Sequence, residues 1–312
     1  MNDNRSYWIR EMMFGTKDVF EYVECAHCGC LQLVNIPKDI AKYYPPDYYS
    51  YNEMTSIFDR KIKKFIKQHR FRYYLLGKSD PVGLLASWFF KIDYLMKIKP
   101  VCLSENSKIL DIGCGAGRLL INLRKDGFKY LTGIDPFINS DIFYANGVNI
   151  YKKTVYEIND TFDFIMLNHS FEHMDKPFEL MIKLRSLLNP DGMVLINTPM
   201  ADSWAWKHYR ENWRGIEAPR HFFIHTRKSM ETIAQATGFF ISDVIYTSSE
   251  TQFLGSEQNQ RNVPQRSNIS YYEDLKKSIF SPADVRKFKK MARRLNRQKE
   301  GDEACFYLKA LP

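Results

Sequence analysis

The sequence predicts an α/β fold: a mainly parallel sheet with helices on both faces. Three observations lead to it. From Ser107 onward, short apolar runs alternate with segments of helical length. The first run, "KILDI", passes straight into the glycine-rich turn "GCGAG" and a helix-like "RLLINLRKDG". The second run, "YLTGID", closes on an acid, Asp135. In such sheets a ligand lies beyond the carboxyl ends of the strands, beside the first one. The glycine turn therefore marks the expected site.

Taken in order, residues 1–54 read as irregular and tyrosine-rich, with "YYPPDYYSY" (43–51) as an extended, turn-containing stretch. Helical periodicity covers about 55–100 and breaks near "GKSDP" (77–81). Strands are expected at 108–112, 130–135, 148–151, 162–168 and 193–199, the last after the turn "PDG". Helices are expected after the glycine turn, at 176–188 and at 227–237, where Gly238 ends the last one. Strands at 239–246 and 304–311 complete the series, with a polar and basic excursion between them. The division is an N-terminal segment with a helical lid, 1–103, and a domain, 104–312, carrying an insertion at about 248–302.

The chain has 312 residues, 45% of them hydrophobic, and a net charge of +9. That is ample for a core. Two stretches hold much of the excess charge, "DRKIKKFIKQHRFR" (59–72) and "RKFKKMARRLNRQK" (286–299). Each has an apolar seam at helical spacing, Phe58, Ile62, Phe65 and Ile66 in one and Val285, Phe288, Ala292 and Leu295 in the other. Both read as amphipathic helices whose apolar seam lies on their own protein and whose basic side faces solvent or an anionic partner. The first twenty residues carry no apolar leader, and "VGLLASWFF" (82–90) is too short to span a bilayer. The six cysteines do not form a disulfide framework, so a reducing cytoplasm is expected.

The glycine turn discriminates among cofactors. A triphosphate loop needs a lysine, and none is present. A dinucleotide turn spaces its glycines G-x-G-x-x-G, whereas Gly113, Gly115 and Gly117 stand on alternate positions. Asp111 would also repel a pyrophosphate. It would attract S-adenosylmethionine, which has no phosphate, carries an ammonium and a sulfonium, and must lie against bare backbone. Asp135, at the end of the next strand, suits the two ribose hydroxyls.

"ILDIGCGAG", "GIDP", "FDFIMLNHSFEHMDKPFELM" and "LLNPDGMVLINTP" together resemble a class I SAM-dependent methyltransferase. The likeness extends over about 104–245, toward small-molecule and quinone-precursor O-methyltransferases and enzymes of surface-polysaccharide clusters. It implies a Rossmann-like sheet of seven strands whose last two form an antiparallel pair, supplied by 239–246 and 304–311. It also implies that Gly113, Gly115 and Gly117 line the methionine part of the cofactor. Asp111 would face its amino group, Asp135 would hold the ribose, and Asn168 would border the methyl. Cys114 reads as a small filler.

Methyl transfer to a hydroxyl benefits from a base, and histidine suits neutral pH. His221, in "EAPRHFFIHT", is the preferred candidate, because 199–226 should overhang the acceptor pocket. His169, in "NHSFEHM", is the second. Trp204 and Trp206 could form an aromatic wall for a sugar. Some quinone-precursor relatives bind a divalent metal through an acid-x-x-Glu-His array; His169 replaces the first acid here, so no metal is expected. "CAHCGC" (25–30) supplies three thiols, one short of a structural zinc site. The expected function is methyl transfer to oxygen of a small-molecule or sugar-containing acceptor, in polysaccharide biosynthesis. Nucleic acid is the disfavoured acceptor, and peripheral contact with a membrane surface stays open. The rivals are a nucleic-acid methyltransferase and a non-catalytic SAM-binding or membrane-surface protein.

Overall fold

The computed structural model describes residues 3–45, 51, 53, 56–59, 61–75, 77, 79–89 and 97–311. The chain opens on strands β1 (Arg5–Arg10), β2 (Val19–Glu24) and β3 (Leu31–Leu33), then helices α1 (Lys61–Tyr74) and α2 (Pro81–Phe89). Next come β4 (Lys108–Ile112), α3 (Arg118–Asp126), β5 (Tyr130–Ile134), β6 (Ile142–Phe143), β7 (Asn149–Tyr151) and β8 (Phe162–Asn168). Helix α4 (Pro177–Ser186), β9 (Leu188–Pro199), α5 (Trp204–Tyr209), β10 (Phe223–Ile224) and α6 (Arg227–Ala236) follow. The chain ends with β11 (Phe239–Tyr246), α7 (Thr251–Gln260), α8 (Pro282–Gln298) and β12 (Glu303–Ala310).

The main sheet has the order β11-β12-β9-β8-β4-β5-β7-β6. Strands β9, β8, β4, β5 and β7 are parallel, and β12 runs antiparallel between β9 and β11. This is the expected sheet, widened to eight strands by the two-residue β6, which pairs antiparallel with β7. The central strands are apolar almost throughout because both of their faces are covered. Alternate residues serve opposite faces. Leu110, Ile165, Leu167, Val194 and Ile196 pack on one side with Leu180, Leu184 and Ile233 of α4 and α6. Ile109, Phe164, Met166 and Leu195 pack on the other with Leu120 and Leu123 of α3. Gly127, at φ 130°, ends α3 where the sequence predicts, and the Thr226 side chain caps the start of α6.

Two regions differ from expectation. The N-terminal 1–54 is not irregular: β1, β2 and β3 form a small antiparallel sheet completed by β10, from the segment after β9. Its inner residues, Ile9, Tyr22, Leu31 and Leu33, pack on Ala205, Trp206 and Trp213. Each strand is too short to show a period in isolation, and long-range packing holds it. Of the 43–51 stretch, residues 46–50 lie outside the described residues. The insertion is also no excursion, since Gln252, Phe253, Leu254, Ser256, Gln258 and Asn259 of α7 are buried. Their polar groups are used internally; Gln258 Nε2 donates to Ser270 Oγ (3.0 Å) and Arg214 N–H to Ser256 Oγ (3.0 Å). Among the described residues, no helix is long and apolar enough to cross a membrane.

Candidate active site

The exits of β4, β5 and β8 converge at one end of the sheet. Gly113, Gly115 and Gly117 all have positive φ, at 72°, 54° and 77°. A Cβ on Gly113 would sit 2.5 Å from Ser170 Cβ, and one on Gly117 would sit 2.5 Å from Ile150 Cδ1. The turn is thus bare first because its own fold requires it. Ser170 Oγ donates to Ile112 O (2.7 Å), lashing the exit of β8 to that of β4.

Asp135 braces the turn. Its Oδ2 accepts from Gly115 N–H (2.9 Å) and its Oδ1 from Phe137 N–H (2.9 Å). Burial nevertheless raises its pKa. Asp111 is buried more deeply in effect: desolvation pushes its carboxyl up to about 7, the Asp135 charge adds to the rise, and the Asn168 side chain opposes it. Asn168 Nδ2 is buried and faces the Asp111 carboxylate without completing a well-formed hydrogen bond to it. A poorly compensated acid beside a donor that is not fully used fits a ligand bearing both an ammonium and a carboxylate, which is the amino-acid end of S-adenosylmethionine. Cys114, its thiol pushed well above the usual value by burial and by both aspartates, is no nucleophile.

Past Asn168 lies a cluster of acids and histidines. Glu172 is fully buried; its Oε2 accepts from Thr198 Oγ1 (3.2 Å), while Oε1 has no hydrogen-bond partner among the described residues. His221 Nδ1 lies 2.9 Å from Gly215 O, so that nitrogen carries the hydrogen and Nε2 is left with its lone pair. Nε2 is 3.9 Å from Glu172 Oε1 and 3.9 Å from Glu217 Oε2. Burial lowers the His221 pKa to about 4, the charges of His173 and Arg220 add to the fall, and the two glutamates oppose it. At neutral pH this histidine is a neutral imidazole. His173 Nδ1 similarly meets Arg220 O (2.8 Å), with the Tyr44 hydroxyl at 3.1 Å.

His169 is different. Its Nε2 is 3.3 Å from Glu303 Oε1 and its Nδ1 is 3.5 Å from Glu172 Oε1. Desolvation lowers its pKa, but Glu303 and then Glu172 outweigh that and raise it well above the usual histidine value. The two carboxylates favour the charged ring, which works against the base role expected of His169, while Asn197 Nδ2 stands 3.0 Å from the same Nε2. The tryptophan wall is corrected too. Trp206 is enclosed in the core, edge-on to Tyr7 at 4.9 Å, and Trp204 stacks on His208 at 4.3 Å.

Ligand atoms of Glu172, His173 and His221 all lie within 4.8 Å of one another, close enough to share a divalent cation. Sequence reading did not assemble this set because His221 reaches it from a distant loop. It also missed Glu217, Glu303 and Tyr44, which carry no local motif. The PRH tripeptide around Arg220 was the one signal that this loop enters the site.

A family pattern described as a methyltransferase domain matches residues 87–243. The chain belongs to this methyltransferase family. Among curated proteins, this methyltransferase is similar to the tRNA U34 carboxymethyltransferase of Aliarcobacter butzleri, with 28% identity over 192 residues, 57% of this chain and 60% of that one. It is similar also to the ubiquinone biosynthesis O-methyltransferase of Rickettsia bellii, with 34% identity over 100 residues, 29% of this chain and 41% of that one. The chain thus spans about half the length of the curated relatives it matches. Among solved structures it overlays the cyclopropane synthase MmaA2 from Mycobacterium tuberculosis with 16% identity and a TM-score of 0.43, covering 80% of this chain and 98% of that one. The cofactor of this family is S-adenosylmethionine.

Proposed function

We propose that the protein transfers a methyl group from S-adenosylmethionine to a hydroxyl oxygen of a small-molecule acceptor, with His221 accepting the hydroxyl proton. The carrying observation is the anchored, neutral His221, whose free Nε2 faces two carboxylates. Asp111 and Asn168 hold the amino-acid end of the cofactor, Asp135 the ribose, and the glycine turn the methionine chain. The cofactor supplies an electrophilic methyl on a positive sulfur. The protein's work is then alignment, plus removal of one proton.

His221 suits that proton. Nε2 receives it, Gly215 O keeps the ring oriented through Nδ1, and Glu172 and Glu217 stabilise the imidazolium that forms. Its pKa near 4 already includes the pull of those acids, so the proton it takes up is readily released to solvent afterwards. Tyr44, from the N-terminal segment, covers His173 and lies parallel to Phe137 at 6.1 Å, which supports a lid role for this segment. His221→Gln should lower kcat at least about a hundredfold. The affinity for S-adenosylhomocysteine in calorimetry should stay unchanged. Near-normal turnover removes His221 from the chemistry.

The polysaccharide expectation draws no support from the relatives, so the acceptor is described by its hydroxyl alone. A second reading has a specific basis. One relative is named for tRNA, and α8 exposes Arg286, Lys290, Arg293 and Arg297 along one side. An RNA acceptor would give binding that falls steeply with salt; a small-molecule acceptor would not. The division into a lid, 1–103, and a domain, 104–312, belongs to the same proposal.

A further inference from the structure

The hairpin of α1 and α2 stands out among the surfaces of the molecule. It is firmly seated. Arg70 Nη2 meets Asp126 Oδ1 at 3.1 Å in a buried pair with the end of α3, and Phe71 packs edge-on against Phe128 at 4.9 Å. Gly83 brings α2 against α1 so closely that a Cβ there would lie on His69 O. With those faces used, large apolar side chains point outward. Ile62 is 77% exposed, Phe65 52%, Leu85 57% and Trp88 71%. Large exposed apolar side chains on two helices packed as one hairpin mark an interaction surface. Lys61 and Lys64, both exposed, each stand directly before one of them, and neither forms an ion pair among the described residues.

We infer that this face of the α1–α2 hairpin docks on an anionic lipid bilayer. Interleaved lysines disfavour a protein partner, because protein interfaces deplete lysine from their centres. A second copy packed face to face would press two lysine rows together. A bilayer surface accepts both kinds of side chain. The apolar groups enter the acyl boundary while the lysine stems bend back and leave their ammonium groups at the phosphates. Trp88 suits the same depth. Neither helix can cross the membrane, so the hairpin lies along it. Because Arg70 ties α1 to the helix that follows the glycine turn, docking would hold the site close to the lipid surface. The inference does not rest on the identity of the acceptor.

The test is flotation of the full chain with vesicles of phosphatidylcholine containing about one third phosphatidylglycerol. The protein should float with these vesicles and not with phosphatidylcholine alone, and raised salt should weaken the association. Lys61→Glu with Lys64→Glu should weaken partitioning about thirtyfold. Phe65→Asp with Trp88→Asp should weaken it at least about tenfold. Both variants should keep their affinity for S-adenosylhomocysteine, which reports on the fold separately. Brominated lipid should quench tryptophan emission in the wild type and much less in Trp88→Phe, a readout that needs no disruptive change. Absence of flotation, or flotation that none of these substitutions alters, overturns the inference. So does a wild-type dimer that the same substitutions dissociate, since the occupant is then a second copy.

Discussion

In the ligand-free protein the pKa values of Asp111 and His221 both shift toward the neutral form, for the same reason: each is buried with too little opposite charge beside it. For Asp111 the consequence is measurable. Its folded pKa of about 7 lies above the ordinary carboxylate value, so between about pH 4 and pH 7 the native state keeps a proton that the unfolded chain gives up. That stabilisation is complete below the window and is lost as pH rises through 7. Buried His221 and His225, held near 4, act in the opposite sense over much of this range. The Asp111 contribution is therefore read as the difference between wild type and Asp111→Asn, up to about 4 kcal/mol in denaturant titrations of ligand-free protein. Glu172 and Glu217 do not blur the result, because pKa values of about 2 place their effect at lower pH. Asp302, raised to about 6, adds a slope of its own that Asp111→Asn leaves in place. A ligand ammonium favours the carboxylate, so cofactor binding near pH 6 should release a proton. Calorimetry in two buffers of different ionisation enthalpy should detect that release, and Asp111→Asn should abolish it.

At the scale of elements, the turn between β4 and α3 shows how a motif carries two kinds of constraint. Read from sequence, the glycines answer to a cofactor that needs bare backbone. In the fold, Gly113 also meets Ser170 and Gly117 meets Ile150, each in a left-handed conformation. Gly113→Ala should cost about 2–4 kcal/mol of stability in the absence of any ligand, the sum of left-handed strain and overpacking. Urea denaturation of ligand-free protein measures it. An unchanged midpoint would mean that the glycine serves the ligand alone. Helix α7 makes the opposite point. "TQFLGSEQNQ" looks like a surface sequence, yet it is buried because Gln258, Ser256 and Asn259 find partners in distant segments.

Across the whole molecule, the N-terminal sheet and the acceptor-side loop are joined by a buried pair of opposite charges. Glu11 accepts from the N–H groups of Met13, Phe14, Gly15 and Thr16, and its Oε1 lies 3.5 Å from Arg220 Nη1. Arg220 is the residue before His221, so β1 and its following loop help set the proton acceptor. Glu11→Gln should destabilise the protein by about 3 kcal/mol, because it leaves the enclosed guanidinium only Glu217, 3.8 Å from its Nε, as a counter-charge. Limited proteolysis should then open residues 1–45 before the main sheet. Simultaneous loss of both would show that the two sheets unfold as one unit.

What the sequence by itself determined was local and contiguous: the strand and helix order from Ser107 onward, the glycine turn, and the acids that follow two strands. Hydrophobic period and turn chemistry act over a few residues, so they can be read along the chain. The small sheet, the burial of α7 and the opposite electrostatic settings of His169 and His221 were decided only by tertiary structure. Each depends on groups far apart in sequence, as when Glu303 charges one histidine while Gly215 and an enclosed setting keep the other neutral. A charge state is set by everything within a few ångströms, and the chain order does not say what that will be.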